Sequence, residues 1–274
     1  RASFEQALKN YFKADIRSLD FTNPSAKDEI NQWVQDKTQG KIDEIIEEIK
    51  SQDIAFLINA LHFKSDWAHG FEDDLTYQGD FTLPDNSTVE VEYVNGDDHF
   101  SIYETDSYWG VDLPFKDSTF SLTMLKPKDG ATFNQNWING LTVEFIDNMY
   151  EQMAMQRAHI HFPKMELAYK NEMSTSLKDL GMTEAFLPQQ ANFSKLGSSP
   201  AGGNIYLTRV QHKSVLEVDE QGAEGAATTS VGIGVISLPE QIKFDEEFLI
   251  IIRHIETNTP VFMGRVSNPS DNSL

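Results

Sequence analysis

Residues 223–236, AEGAATTSVGIGVI, carry the alternation of a β-strand in a composition suited to a loop. Ala223, Gly225, Ala227, Thr229, Val231, Ile233 and Val235 form a row that is small at one end and aliphatic at the other. The intervening row is mostly small or polar, so the period of two is that of a strand with one face buried. Yet the glycines weaken it as a strand, and small, polar and Gly residues suit an exposed segment. A stretch fit for two states points to a conformational switch. An ordinary Gly-rich loop or a weak edge strand is the plainer reading of the same pattern.

The remainder of the 274 residues has ample room for a core, and no internal repeat, low-complexity tract or clear linker divides it. A single domain over residues 1–274 is therefore expected. Lys plus Arg is 22 against 43 Asp plus Glu, a net charge of −21. Such a chain repels phosphate backbones and anionic membranes, so nucleic acid, membrane surfaces and heparin-like polyanions are poor partners. Without Cys there is no disulfide framework, thiolate nucleophile or Cys-based metal site. No apolar stretch is long enough to span a bilayer. The chain opens on Arg1, directly into an amphipathic pattern, so an N-terminal part and any signal peptide are expected to lie outside it.

Apolar spacing predicts a helix at Phe4–Phe12, and a second from Ser25 with Asp28 as a weak capping box. Ile42, Ile45, Ile46 and Ile49 predict a third. Strands are predicted at 54–61, 81–83, 89–93, 110–115 and 120–125. A helix is predicted over 132–153, alternation over 158–167, and a helix over 171–180 stopped by Gly181. A strand follows over 205–218, then the strands 248–252 and 260–266, both expected to be buried. Helices first and mostly strands afterwards point to an α+β fold with large mixed or antiparallel sheets.

Catalytic signatures are missing: no G-x-S-x-G, H-E-x-x-H, Walker loop or dinucleotide fingerprint occurs. His159 and His161 would share a strand face and could hold a metal, but without a carboxylate cluster they read as polar surface. Asn86-Ser87-Thr88 and Asn192-Phe193-Ser194 match the glycosylation sequon, which matters only in a eukaryotic secretory pathway. No cofactor, metal or catalytic residue is assigned, and a hydrolase built on one of the seven histidines has little support.

Several segments, taken in order, resemble the serpin family from the first residue to about Pro269. They are Ile30-Asn31 with Trp33-Val34, Thr38 and Gly40-Lys41-Ile42; Asn59-Ala60-Leu61-His62-Phe63-Lys64 with Trp67, Phe71, Thr76 and Phe81; and Phe162-Pro163-Lys164. Further along come Asn192-Phe193-Ser194 with Leu196; Val210, His212, Lys213, Val218, Glu220 and Gly222; and Phe248–His254 with Phe262–Val266 and Asn268-Pro269. The resemblance implies a serpin-like fold, with a large central sheet, further sheets, helices and an exposed reactive loop at about 220–239.

It also implies a function, as an inhibitor rather than an enzyme. A target serine protease would cut the loop and be trapped as an acyl-enzyme while the loop inserts into the central sheet. Counting from Glu220 and Gly222, and back from Pro239, places the reactive bond at Ile236-Ser237. Ile236 after Val235, with no Lys or Arg in the loop, suits an elastase-like or subtilisin-like protease with a small apolar pocket. The hinge would be Glu220, Gly222, Ala223, Glu224, Gly225, Ala226, Ala227 and Thr228. Asn59 and His212 would form a buried polar pair at the family's shutter, and Trp67, Lys164 and Glu220 its breach. A Lys164–Glu220 bridge would hold the sheet shut. A monomer, extracellular or secreted, is expected, and heparin is not an expected partner. The alternative is a non-inhibitory serpin-fold protein: a cleaved substrate, carrier or chaperone.

Overall fold

A computed structural model of the chain describes residues 2–128, 134–198, 202–221 and 239–270. They fall into two compact units: one takes residues up to 62 with 168–215, the other 63–167 with the residues from 216 on.

The first unit opens with α1 (Ala2–Phe12) and α2 (Ser25–Lys37). No side chain caps α2: Ser25 Oγ donates to Asn23 Oδ1 (3.0 Å) instead, so the Ser25–Asp28 capping box does not form. The expected helix over Ile42–Ile49 is also absent, since that stretch is irregular. Its isoleucines are poor helix formers, and Asn31 on α2 offers a better arrangement. The Asn31 Oδ1 accepts from the amides of Ile45 and Ile46 (both 3.0 Å), and its Nδ2 donates to Ile46 O (2.9 Å). Thr38 Oγ1 donates to Val34 O and accepts from the Ile42 amide, which fixes the turn after α2. Ile42, Ile45 and Ile46 are thereby buried against Ile30 and Val34. The helical spacing was the footprint of wrapping a helix, not of being one.

Strands β1 (Phe56–Phe63), β7 (Met165–Glu172) and β8 (Arg209–Val218) form a three-stranded sheet in the order β1-β8-β7. Asn59 bonds His212 and Lys64 bonds Glu217, the same offset of 153 residues, so β1 and β8 run parallel. The expected helix over 171–180 shrinks to α5 (Ser174–Asp179) because β7 continues through Glu172. Gly181 does stop it, at φ +97°.

The second unit contains an eight-stranded sheet of β2 (Tyr77–Thr82), β3 (Thr88–Glu104), β4 (Tyr108–Pro114), β5 (Phe120–Pro127), β6 (Ala154–Pro163), β9 (Glu240–Lys243), β10 (Phe248–His254) and β11 (Thr259–Val266). Its order is β11-β10-β5-β4-β3-β6-β9, with β2 on β3, and every pairing is antiparallel except β6–β9. The predicted helix over 132–153 is two helices, α3 (Gln135–Gly140) and α4 (Val143–Gln152). Thr142 Oγ1 accepts from the Phe145 amide (3.1 Å), and this new N-cap breaks the run. Phe248–Ile252 is buried as expected, but β11 is mostly exposed. Among the described residues it pairs with β10 and lies at the end of the sheet. Among the described residues, no helix is long and apolar enough to cross a membrane.

Candidate functional site

The Gly-bearing segment leaves the described structure at Gln221, three residues after β8 ends. Gly222, Ala223, Glu224, Gly225, Ala226, Ala227, Thr228, Ile236 and Ser237 lie outside the described residues. The root of the segment does not, and it is held by the three residues that the family resemblance grouped.

Trp67 is buried flat against Phe115, with ring centroids 4.7 Å apart and planes 8° from parallel. That stack aims its indole Nε1 at Asp219 O (2.8 Å), while its backbone amide donates to Gln221 O (3.3 Å). The Phe71 amide donates to Glu220 O (3.0 Å). The backbone of 219–221 thus runs along a row of donors from 67–71.

Glu220 is only 6% exposed. Its Oε1 accepts from Thr76 Oγ1 (2.7 Å) and Lys164 Nζ (3.2 Å), and its Oε2 lies 3.0 Å from the same ammonium. Burial pushes the carboxyl up, but the Thr76 hydroxyl, a backbone amide and Lys164 outweigh it and hold it below the ordinary range. Burial pushes the Lys164 ammonium down. Its bond to Glu220 and the charges of Glu220, Glu92 and Asp219 more than reverse this, leaving it raised. Both shifts favour the ionised pair.

Phe162-Pro163-Lys164 explains how Lys164 arrives there. Phe162 is fully buried against Trp67 and Phe71, Pro163 ends β6, and the Lys164 amide donates to Glu92 O (2.8 Å). The other end of the segment is tied to the same strand: β9 pairs in parallel with Ala158–His161 of β6, and the Phe244 amide donates to His161 O (2.8 Å). Strand β6 therefore serves both flanks of residues 222–238.

His161 on β6 corrects the surface reading of the histidine pair. It is 9% exposed, bonded through Nδ1 to Tyr77 Oη (3.0 Å), with its Nε2 buried and unpartnered. Burial, helped by His159 and Lys243 and opposed by Asp245, pulls its pKa down to about 4. The His159 ring lies 4.2 Å away and bonds Asn95 Oδ1 (3.1 Å). No cluster of three or more metal-ligating side chains occurs among the described residues.

In the first unit, Asn59 and His212 meet at 3.0 Å, but Asn59 is exposed and His212 only half-buried. Within this chain the pair meets on an exposed face. Its face carries Leu57, Leu61 and Tyr169, all exposed as well. Thr76 and the amides of Phe71 and Trp67 were not singled out as members of the root. Backbone donors leave no trace in a sequence, and Thr76 stands 144 residues from its acceptor.

The serpin (serine protease inhibitor) family model matches residues 1–269. A leukocyte elastase inhibitor of Xenopus laevis is 32% identical over 97% of this chain and 73% of its own length. The native-state crystal structure of a thermophilic serpin, tengpin, superposes with a TM-score of 0.85 at 32% identity, over 97% of this chain and 68% of that one. Native protease nexin-1 with heparin gives a TM-score of 0.86 at 25% identity, over 98% and 73%. The chain spans between 64% and 73% of the length of eight of the curated relatives it matches.

Proposed function

The chain belongs to the serpin family, and on that footing we propose that it inhibits a serine protease by acting as a suicide substrate cut at Ile236-Ser237. Members of this family are mostly protease inhibitors rather than enzymes. The protease serine Oγ attacks the Ile236 carbonyl, the bond to the Ser237 nitrogen breaks, and that nitrogen leaves with the proton carried by the protease histidine. Ile236 remains as an ester on the protease. Residues 223–236, about 3.3 Å each, then thread into the sheet and carry the protease with them.

The observation that carries this reading is the sheet order. A strand folding back from the end of β8 runs antiparallel to β8, and β1 is parallel to β8 and directly beside it. Insertion between them replaces one parallel ladder by two antiparallel ones, the stronger arrangement per residue. The inserting row Ala223, Gly225, Ala227, Thr229, Val231, Ile233 and Val235 has no charge to bury. Burying Val231, Ile233 and Val235 contributes on the order of 1.5–3 kcal/mol each. The uncut state is then a kinetic trap released by cleavage. In this scheme Glu220, Gly222 and the following residues to Thr228 act as hinge, Asn59–His212 belongs to the shutter, and Trp67, Lys164 and Glu220 form the breach.

The target is an elastase-like or subtilisin-like enzyme, supported by Val235-Ile236 and by the lack of Lys and Arg in the loop. The net charge of −21 supports a mechanism without heparin. Incubation with elastase, subtilisin and trypsin, followed by a denaturing gel, tests all of this. An apolar-pocket enzyme should give a covalent band heavier than either partner, and Thr229→Arg should shift most of it to clipped chain. A clipped chain alone from the unmodified protein would favour the non-inhibitory alternative and overturn the proposal.

A further inference from the structure

Elsewhere in the first unit lies a pocket of about 390 Å3, in the size range that encloses a small molecule. Its walls are the segment leading into β1 (Lys50, Gln52, Asp53), Lys178 of α5, Phe186, and the segment Tyr206–Arg209 leading into β8. Three of its nine lining residues are cations and one is an acid, whereas the whole chain has 43 acids to 22 bases. The single acid is already engaged. Asp53 takes the Arg209 guanidinium on Oδ2, together with the Lys50 amide at 2.8 Å.

The cations have capacity to spare. Arg209 Nε is buried with no hydrogen-bond partner, and only one of its terminal nitrogens serves Asp53 and Glu48 O. Lys178 is exposed and lies 4.7 Å from the Phe186 ring centroid. Lys50 reaches Glu48 at 3.1 Å, but both are more than half exposed, and such a pair is readily exchanged for a better anion. Phe186 and Leu207, both 8% exposed, provide an apolar wall. A concave site with convergent cations and an apolar floor focuses positive potential where the rest of the surface repels anions.

We propose that this pocket binds a small organic anion, with a phosphate or carboxylate head held by Lys50, Lys178 and Arg209 and an apolar body against Phe186 and Leu207. Such a ligand ties the segment ahead of β1 to the segment ahead of β8. These segments are already clipped together by Arg209, on Asp53 and Glu48 O, and by Thr208, whose Oγ1 donates to Ala55 O (3.0 Å) and accepts from the Ile54 amide (3.4 Å). A further clip, through the ligand, holds the parallel pair closed and slows strand insertion; this consequence rests on the function proposed above.

Calorimetry on the 274-residue chain, with phenyl phosphate and benzoate as the two head groups and phenol as the neutral control at matched ionic strength, tests the pocket. At least one anion should bind saturably at one site, phenol should not, and the double variant K50Q/K178Q should weaken binding at least tenfold with its unligated melting temperature unchanged. No saturable binding, or equal affinity in the variant, overturns the site. The rate of complex formation with subtilisin should then fall severalfold with the bound anion in the unmodified chain and stay constant in the variant. An unchanged rate overturns the regulatory role alone. A chain that forms no complex with any protease overturns the inhibitory reading, while the calorimetry still decides the pocket.

Discussion

Asn59–His212 and Lys164–Glu220 are both polar pairs that meet far from each other in sequence, yet they are built on opposite principles. The first is one neutral hydrogen bond on an open face. Water can replace either partner there, so its net contribution is small. The second surrounds a buried carboxylate with the Thr76 hydroxyl and the Lys164 ammonium, on a backbone whose 219–221 carbonyls accept from the Trp67 indole and the Trp67 and Phe71 amides. Only one side is exposed, since the Lys164 side chain retains 41% of its accessible surface. What counts is not that a pair is polar but how much of its environment water could take over.

That contrast can be broken experimentally. Glu220→Ala leaves Thr76 and Lys164 without their acceptor, and urea unfolding should show a loss of about 2–3 kcal/mol. A loss no greater than that of a surface substitution would erase the distinction between the two pairs.

Acid sharpens it next. His161 is held neutral, so the stability it contributes is complete above pH 6.5 and is lost as pH falls from there to about 4. Glu220, whose carboxyl is depressed, contributes above pH 4.5 and loses that contribution as pH drops further through its lowered value. Urea midpoints measured across pH 7 to 3 should therefore fall in two steps. His161→Gln should flatten the upper step, leaving the slope of His212, whose pKa burial also lowers.

Smaller again is Trp67→Phe, which keeps the stack on Phe115 but loses the indole bond to Asp219 O. It should cost about 1–2 kcal/mol and expose the root to limited proteolysis near Gln221. Least of all, His212→Ala should change stability by under about 1 kcal/mol. A larger loss on thermal unfolding would mean that the open pair is not open in solution.

Much of this was legible in the sequence, and the misses have physical causes. The apolar rows of β1, β5 and β10 predicted strands close to those found, but the alternation expected over 158–167 is broken at Pro163-Lys164 into β6 and β7. The isoleucines of 42–49 had the right period for a helix, but the Asn31 carboxamide supplied the hydrogen bonds of an extended path instead. Apolar content also overstated the burial of β11, most of whose residues are exposed in this chain.

By itself, the sequence determined the α+β class, the family, and an uncharged alternating row at 223–236, since these depend on residue type and order along the chain. Only the tertiary structure decided which side chains hold the root of that row, that His161 is buried, and that Asn59 and His212 are open. Those outcomes depend on backbone donors and on partners 56 to 153 residues apart, which no local period encodes.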